Sequence, residues 1–274
     1  MRVLAARDGS GSLAAGEMSD AVRIPRPKTR LLLLEGRALL ELAALVPAYP
    51  FLRRAPRGDG HPVLVLPGFM ASDFSTRALR GFLRDRGYRT HGWKLGRNLG
   101  PNQATIAAMA ERLQELHRRY DRRVSLVGWS LGGIYARELA RGMPELVRQV
   151  ITLASPFRDL DAVNVPRFLR RRSRRRSGVA DDVSIRARLR EPLAVPMTAV
   201  VSRTDAIASW RSCCAESGEL SETLEVDSSH LGIGHHPVVL LTIADRLAQP
   251  EGHWARFQPP QGWRFPLVPR VLAD

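Results

Sequence analysis

Residues 126–133 read LVGWSLGG and place Ser130 between two glycines, where an apolar strand ends and a helix begins. Glycine weakens strands and helices alike, so its presence on both sides of the serine needs a local reason. The pattern G-x-S-x-G is weak evidence by itself, because both residues are common. Here it follows the run VSLV without a loop, and small residues open the next helix. Such a strand–turn–helix corner projects the serine above the sheet and indicates a nucleophile.

The segments around this corner alternate between strand and helix patterns. Strands are predicted at 61–69, 88–95, 124–128 and 147–155, and helices at 74–86, 102–119 and 132–142. Short, wholly apolar runs are typical of strands buried on both faces of a parallel sheet. The alternation predicts an α/β fold with a mostly parallel, doubly wound sheet.

The alternation breaks over residues 157–192 and resumes with VPMTAVVSRTD, LEVDSSH and HPVVLLTIADRLAQ. The break holds 11 basic and five acidic residues and includes the arginine run RFLRRRSRRR at 167–176. Its length and position predict a basic cap or lid inserted above the sheet of a single domain, residues 61–250.

The flanking regions differ from this domain in composition. We expect residues 1–30, rich in Gly, Ser, Arg and Pro, to form a disordered arm, and residues 251–274 to form an extended tail. Within residues 31–60, the sequence pattern predicts an amphipathic helix over 31–46, followed by a proline-rich connector. That helix is too short and too charged to span a bilayer, so we expect it to lie on the domain or, as the alternative, on a membrane surface.

Charge and cysteine usage limit the cofactors and partners. The formal net charge is +15, but residues 193–274 hold six arginines against nine carboxylates, so the basic charge is regional and we expect no nucleic-acid partner. The adjacent Cys213 and Cys214 form neither a disulfide framework nor a CxxC metal site. With no metal cluster and no dinucleotide fingerprint, we expect no cofactor. The N-terminus has no continuous apolar stretch, which predicts a cytoplasmic protein.

A serine nucleophile needs a base and an acid that orients the base. His230 follows a predicted strand directly and precedes the flexible LGIG, so it is the best-placed base. Asp205 ends the strand MTAVVS, where catalytic groups collect in parallel sheets. The order Ser130, Asp205, His230 is that of one known architecture. The other candidate bases are less favoured: His61 and His117 are expected to be surface residues, and His235 and His236 capping or surface residues. The less favoured candidates for the orienting acid are Asp227, Asp181 and Asp182.

The oxygen anion of an acyl intermediate needs backbone N–H donors. The amides of Leu131, after the nucleophile, and of Phe69, in the turn PGFM, are the expected donors, with Met70 as a rival for the second. Met70, Trp129 and Phe157 are expected to line an apolar substrate pocket, unless they are ordinary core residues.

On these residues the chain resembles the α/β-hydrolase superfamily, in its lipase- and esterase-like bacterial branch, from about His61 to Pro250. The resemblance rests on PGF, GWSLGG, TLASPF, SRTD and SSHLGIGHHP. It implies an α/β-hydrolase fold and a serine hydrolase that cleaves carboxylic esters of small molecules, with a hydrophobic acyl group held as an acyl-enzyme. Pro67–Gly68 stands where many relatives have His–Gly.

Two other functions stay open at this stage. An acyltransferase would use the same triad with an alcohol or thiol as acceptor. A non-catalytic scaffold would bind a polyanion through the arginine run. A contact between the basic insertion and a membrane or another anionic interface is compatible with any of these readings.

Overall fold

A computed structural model describes residues 24–166, 168, 171, 183–216, 218–259 and 266–272. Within them, seven strands form one sheet in the order β2-β1-β3-β4-β5-β6-β7. The strands are β1 Pro62–Leu66, β2 Arg89–Gly92, β3 Val124–Trp129, β4 Val147–Leu153, β5 Met197–Val201, β6 Ser221–Glu225 and β7 Arg270–Leu272. Strands β1 to β6 pair in parallel, and β7 pairs antiparallel to β6. The predicted mostly parallel α/β sheet is confirmed.

The described helices lie on both faces of this sheet. They are α1 Ala38–Ala43, α2 Leu45–Leu52, α3 Arg77–Asp85, α4 Gln103–Tyr120, α5 Leu131–Gly142, α6 Val183–Arg190, α7 Trp210–Cys213 and α8 Pro237–Leu247, with 3-10 helices at Thr29–Arg37 and Pro144–Leu146. On β1, Val63 and Val65 pack in a layer with α2, α3 and α8, whereas Leu64 and Leu66 pack in a layer with α4 and α5. This alternation follows from the two-residue period of a strand and explains why β1 is apolar throughout.

Element boundaries differ modestly from the predicted ones. The helix predicted at 102–119 is α4, and Asn102 caps it by accepting a hydrogen bond from the Thr105 N–H at 2.8 Å. Strand β2 is shorter than the predicted 88–95, and β6 begins at Ser221 and ends five residues before His230. The C-terminal tail contributes β7, which covers the edge of β6.

The helix predicted over residues 31–46 is not continuous, and its apolar side faces outward rather than towards the domain. A 3-10 helix, α1 and α2 replace it. Gly36 weakens a continuous helix, and Pro47 has no N–H to bond back across the junction between α1 and α2. Its charged Glu35 and Glu41 are buried, whereas many of its leucines are exposed. Among the described residues, no helix is long and apolar enough to cross a membrane.

The region predicted as a cap is only partly described. Helix α6 packs beside α5, and Leu189 lies in the core while its carbonyl accepts a hydrogen bond from Arg137 at 2.9 Å. The described part of 157–192 that includes α6 is therefore attached to the side of the domain. Most of the arginine run at 167–176, along with Asp181 and Asp182, lies outside the described residues.

Candidate active site

Ser130 occupies a sharp turn between β3 and α5. Its backbone angles are φ 53° and ψ −120°, in the left-handed half of the map that non-glycine residues rarely adopt. The Ser130 N–H donates to the Leu153 carbonyl on β4 at 2.8 Å, which fixes the turn to the sheet. Backbone strain of this kind is characteristic of functional positions.

The flanking glycines are explained by close approaches of the backbone. A Cβ atom on Gly128 would lie 2.3 Å from Gly133 Cα, and one on Gly132 would lie 2.2 Å from the Leu66 carbonyl oxygen. Both distances are shorter than van der Waals contact. Strands β1 and β3 and the start of α5 can therefore meet beneath the serine only if these positions lack side chains.

His230 and Asp205 follow neighbouring parallel strands, and the structure brings them together. The His230 Nδ1–H donates to Asp205 Oδ2 at 2.7 Å. The other oxygen, Asp205 Oδ1, accepts from the N–H groups of Ile207 at 2.7 Å and Ala208 at 2.8 Å. Both side chains are buried, and this network fixes the carboxylate and leaves His230 Nε2 free to exchange a proton.

The charge around His230 favours its protonated form. Burial lowers the pKa of the imidazole, but the Asp205 carboxylate, by charge and by hydrogen bond, and the Glu35 carboxylate raise it, and the net pKa lies above the ordinary 6.5. A raised pKa makes the imidazole a stronger proton acceptor, which suits a side chain that takes a proton from a hydroxyl.

The competing acid and histidines occupy other positions. Asp227 Oδ1 lies 3.3 Å from Arg37 and accepts from Thr204 at 2.9 Å. His236 caps α8, with Nδ1 accepting from the Val238 N–H at 3.3 Å, as its capping interpretation predicted. His235 donates to the Ala38 carbonyl at 3.0 Å.

His61 is completely buried, so its prediction as a surface residue was wrong. Its Nδ1 bonds Asp59 at 2.5 Å, and its Nε2 accepts from Ser125 Oγ at 2.8 Å, at the amino ends of β1 and β3. Burial and the Arg148 charge lower the pKa of His61 to about 4. The sequence around His61 gives no sign of this contact, because Ser125 is 64 residues away along the chain.

The loop after β1 is held by Asn98. The Met70 N–H donates to the Asn98 carbonyl at 2.7 Å, so this amide is already engaged and is a poorer oxyanion donor. The Phe69 amide is therefore the better candidate for the second donor, together with the amide of Leu131. Asn98 is fully buried, donates through Nδ2 to the Pro67 carbonyl at 2.9 Å and donates its own N–H to Ala71 at 2.8 Å. Sequence reasoning missed Asn98 because GRNLGP is typical of any exposed loop.

Ser130 and His230 open into one cavity of about 900 Å³. Apolar side chains dominate its walls, which are formed by Leu42, Leu45, Tyr49, Leu52, Gly68, Phe69, Ala71, Phe74, Ser75, Arg77, Ala78, Gly81, Phe82, Trp129, Leu231, His235 and Leu240. Helices α1 and α2, from the segment before β1, thus supply part of the cavity wall. No described residue of 157–192 lines this cavity.

The structure separates the predicted pocket residues. Phe69 and Trp129 line the cavity, whereas Met70 and Phe157 lie outside its lining. Met70 is exposed, and Phe157 is core, with the Arg137 guanidinium 4.0 Å from its ring centroid. The expectation for Phe157 is corrected because its ring faces the α4–α5 layer.

Two carboxylates from before β1 hold the loops that carry Asp205 and His230. Glu35 Oε1 accepts from the N–H groups of Ala206 at 3.0 Å and His230 at 3.1 Å, and Oε2 accepts from Leu231 at 2.9 Å. Glu41 accepts from the Ser229 N–H at 2.8 Å and its hydroxyl at 2.6 Å. The loops of the acid and the base are therefore joined through Glu35. Sequence reasoning missed both carboxylates.

Trp129 supports the base loop from the strand side. Its Nε1–H donates to the His230 carbonyl at 3.0 Å, and a Cβ on Gly234 would lie 2.5 Å from its ring. Among the described residues, no group of three or more His, Cys, Asp or Glu side chains is placed to hold a metal ion. The assembled groups can perform nucleophilic and acid–base chemistry on a substrate in an apolar cavity.

Comparisons with known proteins agree with this architecture. Lipase BlEst2 of Bacillus licheniformis superposes with a TM-score of 0.53 at 13% identity, over 72% of this chain and 95% of that one. An alpha/beta superfamily hydrolase of Oenococcus oeni PSU-1 gives 0.52 at 14% identity, over 69% and 91%. These likenesses concern the fold alone, and no curated protein matches significantly. Because the model of the alpha/beta hydrolase family matches residues 63–273, the chain belongs to that family.

Proposed function

We propose that the protein is a serine hydrolase that cleaves carboxylic esters with a hydrophobic acyl group. One observation carries the proposal. Ser130, on its strained turn, shares a cavity with His230, whose Nδ1 is hydrogen-bonded to the buried Asp205. Nucleophile, base and orienting acid follow three different strands of one sheet, which is one of the arrangements in which a serine is acylated.

The proposed reaction proceeds through an acyl-enzyme. Ser130 Oγ attacks the ester carbonyl carbon while His230 Nε2 takes the hydroxyl proton. The carbonyl oxygen gains the negative charge and is stabilised by the N–H groups of Leu131 and Phe69. Collapse of this intermediate breaks the bond to the alcohol, which leaves with the proton from His230. Water then attacks the acyl-enzyme by the same steps and releases the carboxylic acid and free Ser130.

The cavity supports an apolar acyl group as the substrate class. Its volume of about 900 Å³ is in the range of pockets that enclose whole small ligands, and its walls are mostly aliphatic and aromatic. Each buried CH₂ of an acyl chain contributes about 0.8 kcal/mol when it leaves water. The structural neighbour BlEst2 is named a lipase, which agrees with this class of substrate.

A panel of p-nitrophenyl esters of increasing acyl length tests the proposal. The wild type is expected to hydrolyse these esters with kcat/KM rising from acetyl towards medium-length chains, and Ser130→Ala is expected to lose the activity. Ser75→Ala is the matched control, since Ser75 also lines the cavity but donates its hydroxyl to the Ser72 carbonyl at 2.8 Å.

Three results would each count against this assignment. They are an inactive wild type, activity retained in Ser130→Ala, and a rate that falls steadily with chain length. Added acceptor alcohols separate hydrolysis from acyl transfer, because a transferase would form new ester at the expense of free acid.

A further inference from the structure

The segment before β1, residues 24–57, presents an unusual apolar surface; it is called the N-terminal segment below. The exposed fractions are 89% for Leu33, 75% for Leu39, 72% for Leu40 and 79% for Val46. Isolated apolar residues on a surface need no explanation, but a series of large ones from consecutive short helices indicates a contact surface.

The N-terminal segment buries its negative charges against the domain and exposes most of its positive charges. Its only carboxylates, Glu35 and Glu41, are buried against the catalytic loops. Its exposed charged side chains are all cations: Arg26, Lys28, Arg30, Arg53, Arg54 and Arg57. An exposed leucine surface flanked by cations is the composition of segments that lie in the interface of an anionic membrane.

This apolar surface continues to the cavity entrance. Leu42 of α1, 44% exposed, lines the cavity, and so does Phe74, which is 79% exposed. Leu231, directly after the catalytic histidine, is 53% exposed and completes the rim. The exposed leucines of α1 and the cavity mouth thus belong to one side of the molecule.

We propose that the N-terminal segment docks the protein on a bilayer that contains anionic phospholipid, with the cavity mouth towards the membrane. A second copy of the chain fits the same surface less well, because pairing would bring two sets of cations together. An anionic lipid surface instead covers the leucines and neutralises the cations. The docked leucines lie in the headgroup region.

Vesicle flotation with full-length Ser130→Ala tests the docking without lipid hydrolysis, so its outcome is independent of the proposed esterase activity. Vesicles of phosphatidylcholine alone are compared with vesicles that also contain phosphatidylglycerol. Binding is expected to the anionic vesicles only and to weaken as ionic strength rises. In the same background, Leu33→Asp/Leu39→Asp is expected to reduce binding about tenfold or more, because two exposed leucines are replaced by anions.

The matched control is Leu267→Asp, which adds an anion at a leucine that is 64% exposed, next to β7 and outside the cavity lining. It is expected to bind nearly as the parent does, and circular dichroism checks that both variants are folded. Absence of binding to anionic vesicles, or equal loss in both variants, overturns the proposal. So does a dimer, detected by light scattering, that Leu33→Asp/Leu39→Asp dissociates.

Discussion

Replacing Glu35 with Gln tests how the loops of the acid and the base are coupled. The carboxylate accepts three backbone N–H groups, from Ala206, His230 and Leu231. Glutamine keeps the volume but places an NH₂ group against at least one of these donors. A hydrogen bond to a charged group contributes about 1.5–3 kcal/mol. Since about 1.4 kcal/mol is a factor of ten in rate, loss of one such bond in the transition state lowers kcat roughly 10- to 100-fold.

The pH profile separates this effect from general destabilisation. The proposed hydrolysis needs neutral His230, so kcat/KM is expected to rise with pH through the pKa of that histidine, which lies above 6.5. Glu35 is one of the charges that raise this pKa. Removing its negative charge lowers the pKa, so the acidic limb moves to lower pH in Glu35→Gln. KM stays close to wild type, because Glu35 lies outside the cavity lining.

The assay is a pH series of kcat and kcat/KM on one ester, with thermal unfolding measured in parallel. Glu251→Gln is the control, because it removes a carboxylate of the same type on the surface. An unshifted acidic limb and a kcat equal to wild type in folded Glu35→Gln would refute the positioning role of Glu35.

Three further variants probe the neighbouring contacts. Asp205→Asn removes the largest charge that raises the pKa of His230, so kcat should fall and the acidic limb should move to lower pH than in Glu35→Gln. Asn98→Ala removes the bond to the Pro67 carbonyl and should lower the free energy of unfolding by about 2 kcal/mol, measured by urea denaturation, together with kcat. Trp129→Phe removes the bond to the His230 carbonyl, worth about 1 kcal/mol, and should lower kcat roughly fivefold in steady-state assays. Wild-type kinetics in any of them would contradict the role given to that contact.

Local patterns explain why the sheet and Ser130 were predictable. Strands β1 and β3 are apolar on both faces because helices cover both, and that condition is visible in any short window of sequence. The corner at Ser130 needs small residues within four positions, so its requirements are also local. The pairing of Asp205 with His230 was reached through chain order, because successive strands bring their carboxyl ends to one edge.

Long-range partners explain what the sequence did not show. A window containing Glu35 and Glu41 predicts carboxylates in water, since a buried carboxylate is costly without partners. Most of the partners are backbone N–H groups 171 to 196 residues away, which carry no sequence signal. The same holds for Asn98, whose buried contact lies 31 residues earlier.

The sequence also could not predict where the basic insertion packs, because that too depends on distant contacts. The length of the insertion indicates that the chain leaves the sheet there, but not against which part of the domain it packs. In the described part, Leu189 packs in the layer with α4 and α5. Phe157 follows the same rule, because an aromatic residue after a strand fits a pocket or a core equally well. Part of the cavity wall comes from α1 and α2.

The most direct measurement is mass spectrometry of the protein after treatment with a fluorophosphonate, which reacts only with an activated serine. The account predicts one adduct on the peptide containing Ser130, no adduct in Ser130→Ala, and slow labelling in His230→Gln, because the base that activates the hydroxyl is gone. Equal labelling of wild type and Ser130→Ala, or an unlabelled folded wild type, would contradict the claim that Ser130 is the nucleophile.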